Sequence, residues 1–108
     1  MSSVDDCAFE SLTSAPRLDS TEARAKIFSA LADPTRLSIV EALLADGELS
    51  STEIANKLDI SLALLCHHSK VLMEAGVLIL RRQGQTKFRS IDRALLKACF
   101  DSLQALDT

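Results

Sequence analysis

The stretch from Ser50 to Arg89 constrains this chain more than any other. Ser50-Ser51-Thr52-Glu53 is a capping box. The Ser50 hydroxyl and the Glu53 carboxylate each satisfy an orphan backbone amide, so a helix opens there. Asp59-Ile60-Ser61 supplies a turn, and Ser61 caps a second helix running to about Glu74. Gly76 stands where that helix stops. Val77-Leu78-Ile79-Leu80-Arg81-Arg82, a turn at Gly84 and Thr86-Lys87-Phe88-Arg89-Ser90 then form a basic hairpin. Two short helices, a tight turn and a hairpin make a helix-turn-helix with a β-wing, a mostly α fold with one small hairpin. That arrangement sets one helix into the major groove of duplex DNA.

The flanks fit the same plan. Residues 1–18 have mixed polarity, Pro16 and no sustained period, so a mobile arm is expected there, with residues 19–108 as the folded domain. Asp19-Ser20-Thr21-Glu22 starts a helix to about Ala32, with Ile27, Phe28 and Leu31 on one face. Asp33 caps the next, whose first residue, Pro34, lacks only an amide that has no partner anyway. Leu37, Val40 and Leu44 are its expected inward side, and Gly47 follows its end. A last helix spans about Arg93 to Leu106, with an apolar stripe of Leu96, Phe100 and Leu103. In a chain of 108 residues little core remains to cover the first and last helices, so both are expected to pair with a second copy around a two-fold axis.

The net charge of −3 speaks against nucleic acid until its distribution is examined. Residues 1–60 carry eleven acids and five bases, and residues 61–108 carry four acids and seven bases. The field over the contacting surface governs binding, so an acidic half facing away from the duplex is compatible with it. Trp and Tyr are absent, which argues against stacking on single-stranded bases. With no apolar run of membrane-spanning length and an acidic, polar start, the expected location is the cytoplasm, with no membrane partner and reduced cysteines.

On the second helix of the motif, Leu62, Leu65, Ser69, Leu72 and Met73 share one side and are expected to pack inward. Ala63, His67 and Lys70 lie opposite, with Val71 at the margin. Small and polar residues suit base edges and phosphates, and Ala63 suits a thymine methyl. The bland alternative is a solvated face. The hairpin brings Arg81, Arg82, Lys87 and Arg89 within nine residues and no acid among them. Strand alternation puts Phe88 on one side and Lys87 and Arg89 on the other, where they are expected to track phosphates. Alone, such a hairpin is more often an edge strand guarded by charge. Nothing resembles a nucleophile-base constellation or a phosphate-cradling glycine loop, so no enzymatic role is expected.

Ser29-Ala30-Leu31-Ala32-Asp33-Pro34-Thr35-Arg36-Leu37 closely resembles the opening signature of the ArsR/SmtB repressors. Ser61 through Leu72 looks like their recognition helix, and Gly84 through Ile91 like their wing. The resemblance covers about residues 20 to 105. It implies a winged-helix homodimer that represses transcription from a near-palindromic operator until an inducer binds, with Ser61, His67 and Lys70 on positions near DNA. Ser69 departs from the usual apolar residue, and Gln85 from a usually basic wing tip.

The metal sites common in that family are missing. The thiolate site needs cysteines in the helix where this chain has Ser50 and Thr52. The site on the last helix keeps Asp92, but Ala94, Ala105 and Thr108 fill its other places. What remains is Cys66, Cys99 and Cys7. A thiol-reactive inducer, such as arsenite or another thiophilic ligand, an oxidant or a sulfur species, would act on them. The competing reading makes Cys66 and Cys99 small buried hydrophobes. The chain would then be a constitutive repressor or one whose inducer ignores cysteine; a separate alternative to DNA binding is a winged-helix protein-interaction module.

Overall fold

Four helix starts are fixed by side chains that the sequence places at the right positions. In the computed structural model, which describes residues 20–105, Ser20 accepts from Ala23 N at 3.0 Å and opens α1 (Thr21–Leu31). Asp33 accepts from Arg36 N at 3.0 Å and opens α2 (Pro34–Asp46). Ser50 and Glu53 close the expected capping box, at 2.8 and 3.2 Å, around the start of α3 (Ser51–Leu58). Ser61 accepts from Leu64 N at 3.0 Å to open α4 (Leu62–Glu74). Each cap supplies one of the acceptors that a helix start lacks. The expected arm, and Cys7 with it, lie outside the described residues.

Three antiparallel strands follow the order β1-β3-β2, with β1 Leu49–Ser50, β2 Leu78–Gln83 and β3 Thr86–Ile91. The sequence reading held only the β2–β3 hairpin; β1 is two residues long, too short to show a period. Gln83 pairs with Thr86, leaving a two-residue turn. Gly84 takes φ 61° at its first position, where a type II′ turn requires positive φ. The chain closes with α5 (Arg93–Ala105).

One core joins all five helices to the wing. Ile27, Ile39, Leu43, Ile54, Leu65, Leu72 and Val77 are fully buried in it. The expected inward side of α2 is corrected: Leu37 is exposed and Leu44 half-buried, while Ile39, Val40, Ala42 and Leu43 are buried. The helix is rotated because both α1 and α4 pack on it, which draws in a broader and different arc than the Leu37–Val40–Leu44 stripe. On α5, Leu95, Leu96 and Cys99 face inward, whereas Phe100 and Leu103 stay exposed. Phe100 meets the Phe28 ring of α1 at a centroid distance of 5.9 Å, which joins the two outer helices through an apolar surface still open to water.

Candidate nucleic-acid interface

The orientation of α4 is set from behind. Asp59 takes a left-handed conformation (φ 57°), which aspartate tolerates, and ends α3 so that the chain can reverse into Ser61. Leu65, His68, Ser69 and Leu72 then form the buried side of α4. Ala63, His67 and Lys70 are exposed on the other side, where the periodicity put them, and Val71 is half-buried at the margin. Leu62 departs from its expected inward position: it is 40% exposed, as is Leu64. Leu62 is the first residue of the helix, one turn before the first buried position, Leu65.

His68 ties this helix to the α1–α2 junction. Arg36 Nη1 lies 3.2 Å from His68 Nδ1, and Arg36 Nε donates to Ala30 O at 2.7 Å. A guanidinium can only donate, so Nδ1 accepts and the ring proton sits on Nε2. Burial pushes the His68 pKa below its ordinary value, with help from His67 and Arg36 and against the Asp33 carboxylate. The neutral ring is therefore the resting form, and its 3.9 Å approach to Asp33 is not an ion pair in that state. Asp33 itself is held below the usual carboxylate range, chiefly by the Arg36 backbone amide. The Ser69 hydroxyl, buried where an apolar side chain would fit, has no partner.

The four expected wing cations separate into different environments. Arg82 is exposed beside the turn. Arg81 is engaged: Nε and Nη2 donate to the two Glu48 oxygens at 2.8 and 2.9 Å, Nη1 donates to Gln83 at 2.8 Å, and the group lies 4.8 Å from the Phe88 ring centroid. The fork-to-carboxylate pairing draws the Glu48 pKa down and the Arg81 pKa up.

Lys87 and Arg89 require a correction. They do share a side of β3, but it is the inner one: Lys87 is 9% exposed and Arg89 fully buried. The central strand packs on α2 and α3 through that side, leaving the half-buried Phe88 on the outer one. Arg89 Nη1 donates to Ser51 Oγ, whereas Nε and Nη2 have no partner. Burial lowers the Arg89 pKa, as expected for a cation without a carboxylate. It belongs to the packing of the wing on α3 rather than to an open surface.

Cys99 is a buried thiol in α5, and burial raises its pKa. Cys66 is half-buried at the inner margin of α4 and is disulfide-bonded, so the expectation of a resting thiol does not hold there. Among the described residues no group of three or more His, Cys, Asp or Glu is placed to hold a metal ion. None of the described helices is long and apolar enough to cross a membrane. Sequence reasoning missed the Arg81–Glu48 pair, which spans distant positions and leaves no local pattern. It also missed the outward leucines, for which helix-end position was the available signal.

Comparison with known proteins gives this geometry a context. A helix-turn-helix domain family matches residues 31–81. The chain is 37% identical over 68 residues to a homolog of the cadmium resistance transcriptional regulatory protein CadC from Staphylococcus aureus, covering 63% of this chain and 56% of that protein. It is 34% identical over 71 residues to the transcriptional repressor SdpR of Bacillus subtilis, covering 66% of this chain and 78% of SdpR. Among solved structures it resembles a homodimeric winged helix-turn-helix DNA-binding domain from Mycobacterium bovis, a possible ArsR-family regulator. The TM-score is 0.66 and the identity 26%, over 80% of this chain and 79% of that one.

Proposed function

The chain belongs to the ArsR/SmtB family of winged-helix, DNA-binding transcriptional regulators, and from that premise we propose that it is a cytoplasmic homodimeric repressor of a near-palindromic operator. The observation that carries this reading is the outward side of α4, where Ala63, His67 and Lys70 are exposed on one helix face, together with the exposed Arg82 of the wing. Ser61, Ala63 and His67 meet the groove, and Lys70 and Arg82 meet phosphates. Lys87, directly across the ladder from Arg82, is largely covered, so the phosphate contact of the wing falls to Arg82. Arg81 and Arg89 act one step back, holding the wing to the β1 region and to α3.

The open apolar surface of Phe100 and Leu103 supports pairing through α1 and α5. A two-fold dimer of this kind places its recognition helices on half-sites about one helical turn apart. The homodimeric state of the Mycobacterium bovis domain and the repressor role of SdpR point the same way.

Release from the operator is assigned to Cys66, on the reading helix itself, whose thiol is present only in the reduced protein, with Cys7 and Cys99 as further candidates. Cys99 is the weaker one, since its raised pKa disfavours the reactive thiolate. Arsenite, another thiophilic ligand, an oxidant or a sulfur species fits that chemistry. Gel shifts against genomic fragments at several salt concentrations, using reduced protein with and without arsenite, peroxide or persulfide, test the whole proposal. Salt-sensitive retardation that these reagents abolish is expected, and that loss should disappear when Cys7, Cys66 and Cys99 are all replaced by Ser. Absence of retardation at low salt would overturn the repressor reading, and release of the triple variant would overturn only the thiol assignment.

A further inference from the structure

The first turn of α4 is apolar on its outside. Leu62, Ala63 and Leu64 are consecutive and all exposed, and the two leucines each keep 40% of their surface open. The Ser61 hydroxyl ahead of them is engaged in capping Leu64 N. Beyond them the exposed residues of α4 are His67, Lys70 and Glu74. No Arg, Asn or Gln occurs on this helix, so of the side chains that read guanine or adenine by paired hydrogen bonds it carries only Lys70, about two turns beyond the leucines.

The N-terminal residues of a recognition helix are the ones that reach base edges. The thymine C5-methyl is the one apolar group that base pairs present in the major groove. From this match we infer that Leu62, Ala63 and Leu64 read thymine methyl groups in each half-site, making methyl contact rather than hydrogen bonding the main source of sequence discrimination. The inference rests on α4 being the base-reading helix. Duplex DNA is preferred over a protein as the occupant because the exposed residues that follow this patch on the same helix, His67 and Lys70, are polar and cationic. His67 supplies the one imidazole contact on that surface, and Lys70 lies a turn further on.

The test uses the full chain and a genomic fragment retained in a gel shift. The fragment is synthesised twice, once with thymidine and once with deoxyuridine at every thymidine position, which removes the methyls and keeps the base pairing. Loss of a buried methyl contact corresponds to about fourfold in affinity. With at least one contact per half-site of a dimer, wild-type protein is expected to bind uracil DNA about tenfold or more weakly. A Leu62→Ser/Leu64→Ser variant, which keeps only the small Ala63 methyl, should lose most of the preference for the thymine fragment, with thermal unfolding and sedimentation as for wild type. A Leu64→Ala variant should lose part of the preference.

Equal wild-type binding to both fragments would overturn the inference. So would a folded double variant that keeps the full thymine preference, because the effect would then come from DNA shape. A changed oligomeric state with that preference intact would assign the leucines to a protein contact and equally overturn it. Failure of wild-type protein to retard any thymine-containing fragment would instead strike at DNA reading by α4, and the inference would fall with it.

Discussion

Helix α4 and strand β3 both carry cations toward the expected DNA surface, yet Lys70 on α4 is exposed while Arg89 on β3 is fully buried. The difference lies in how much each periodicity determines. Over thirteen residues, α4 has an apolar arc containing Leu65 and Leu72, and the position of that arc fixes where Ala63, His67 and Lys70 must point. A six-residue strand offers two sides, and alternation groups Lys87 with Arg89 without saying which side is covered. Phe88 looked like the inward residue by hydrophobicity. What reversed it is the packing of α2 and α3 against β3, together with Arg81 lying over Phe88 on the outer side.

The contrast can be broken most severely at the buried side of α4. Replacing Leu72, which has no exposed surface, by Ala should cost about 2–5 kcal/mol of folding stability. A shift of the urea midpoint at unchanged slope is the measurement, and a loss below 1 kcal/mol would mean that α4 is not anchored as described. On the outer side, His67→Ala should leave the urea midpoint nearly unmoved and reduce discrimination between operator and mismatched DNA by about 1–3 kcal/mol. Competition binding with single-base variants measures that directly.

A third test separates the two neighbouring histidines. The His68 pKa is lowered in the folded chain, so below about pH 6.5 the unfolded chain takes up the proton first. Stability contributed at this site is complete above that pH and falls as pH drops toward the lower folded value. His68→Gln, which keeps an acceptor for Arg36, should flatten the thermal-unfolding profile over this window. An unchanged profile would remove His68 as its source.

Much of the scaffold was legible because its signals are local. Ser20, Asp33, Ser50 and Ser61 each cap within three residues, and Gly84 needs only its own positive φ. The inner and outer sides of α4 follow from helical spacing, apart from Leu62 at the open end. Features set by remote partners were not legible: the Arg81–Glu48 pair, the Arg36–His68 contact, the rotation of α2 and the covered side of β3. The candidate residues on the helix are therefore exposed as expected, whereas those on the wing divide, because hydrogen-bonded or buried arginines look the same in sequence as an exposed one.

That division is tested most directly by the salt dependence of DNA binding in two single variants. Arg82→Ala should weaken binding to all sequences and lower the slope of log affinity against log salt by about 1 per protomer contact. Arg89→Met should leave the slope at its wild-type value and stability equal or higher, since exchanging a buried cation without an acid for an apolar side chain removes a desolvation cost. An Arg89→Met protein whose slope falls while Arg82→Ala keeps its own would contradict the account, because the buried arginine would then be the one that meets phosphate.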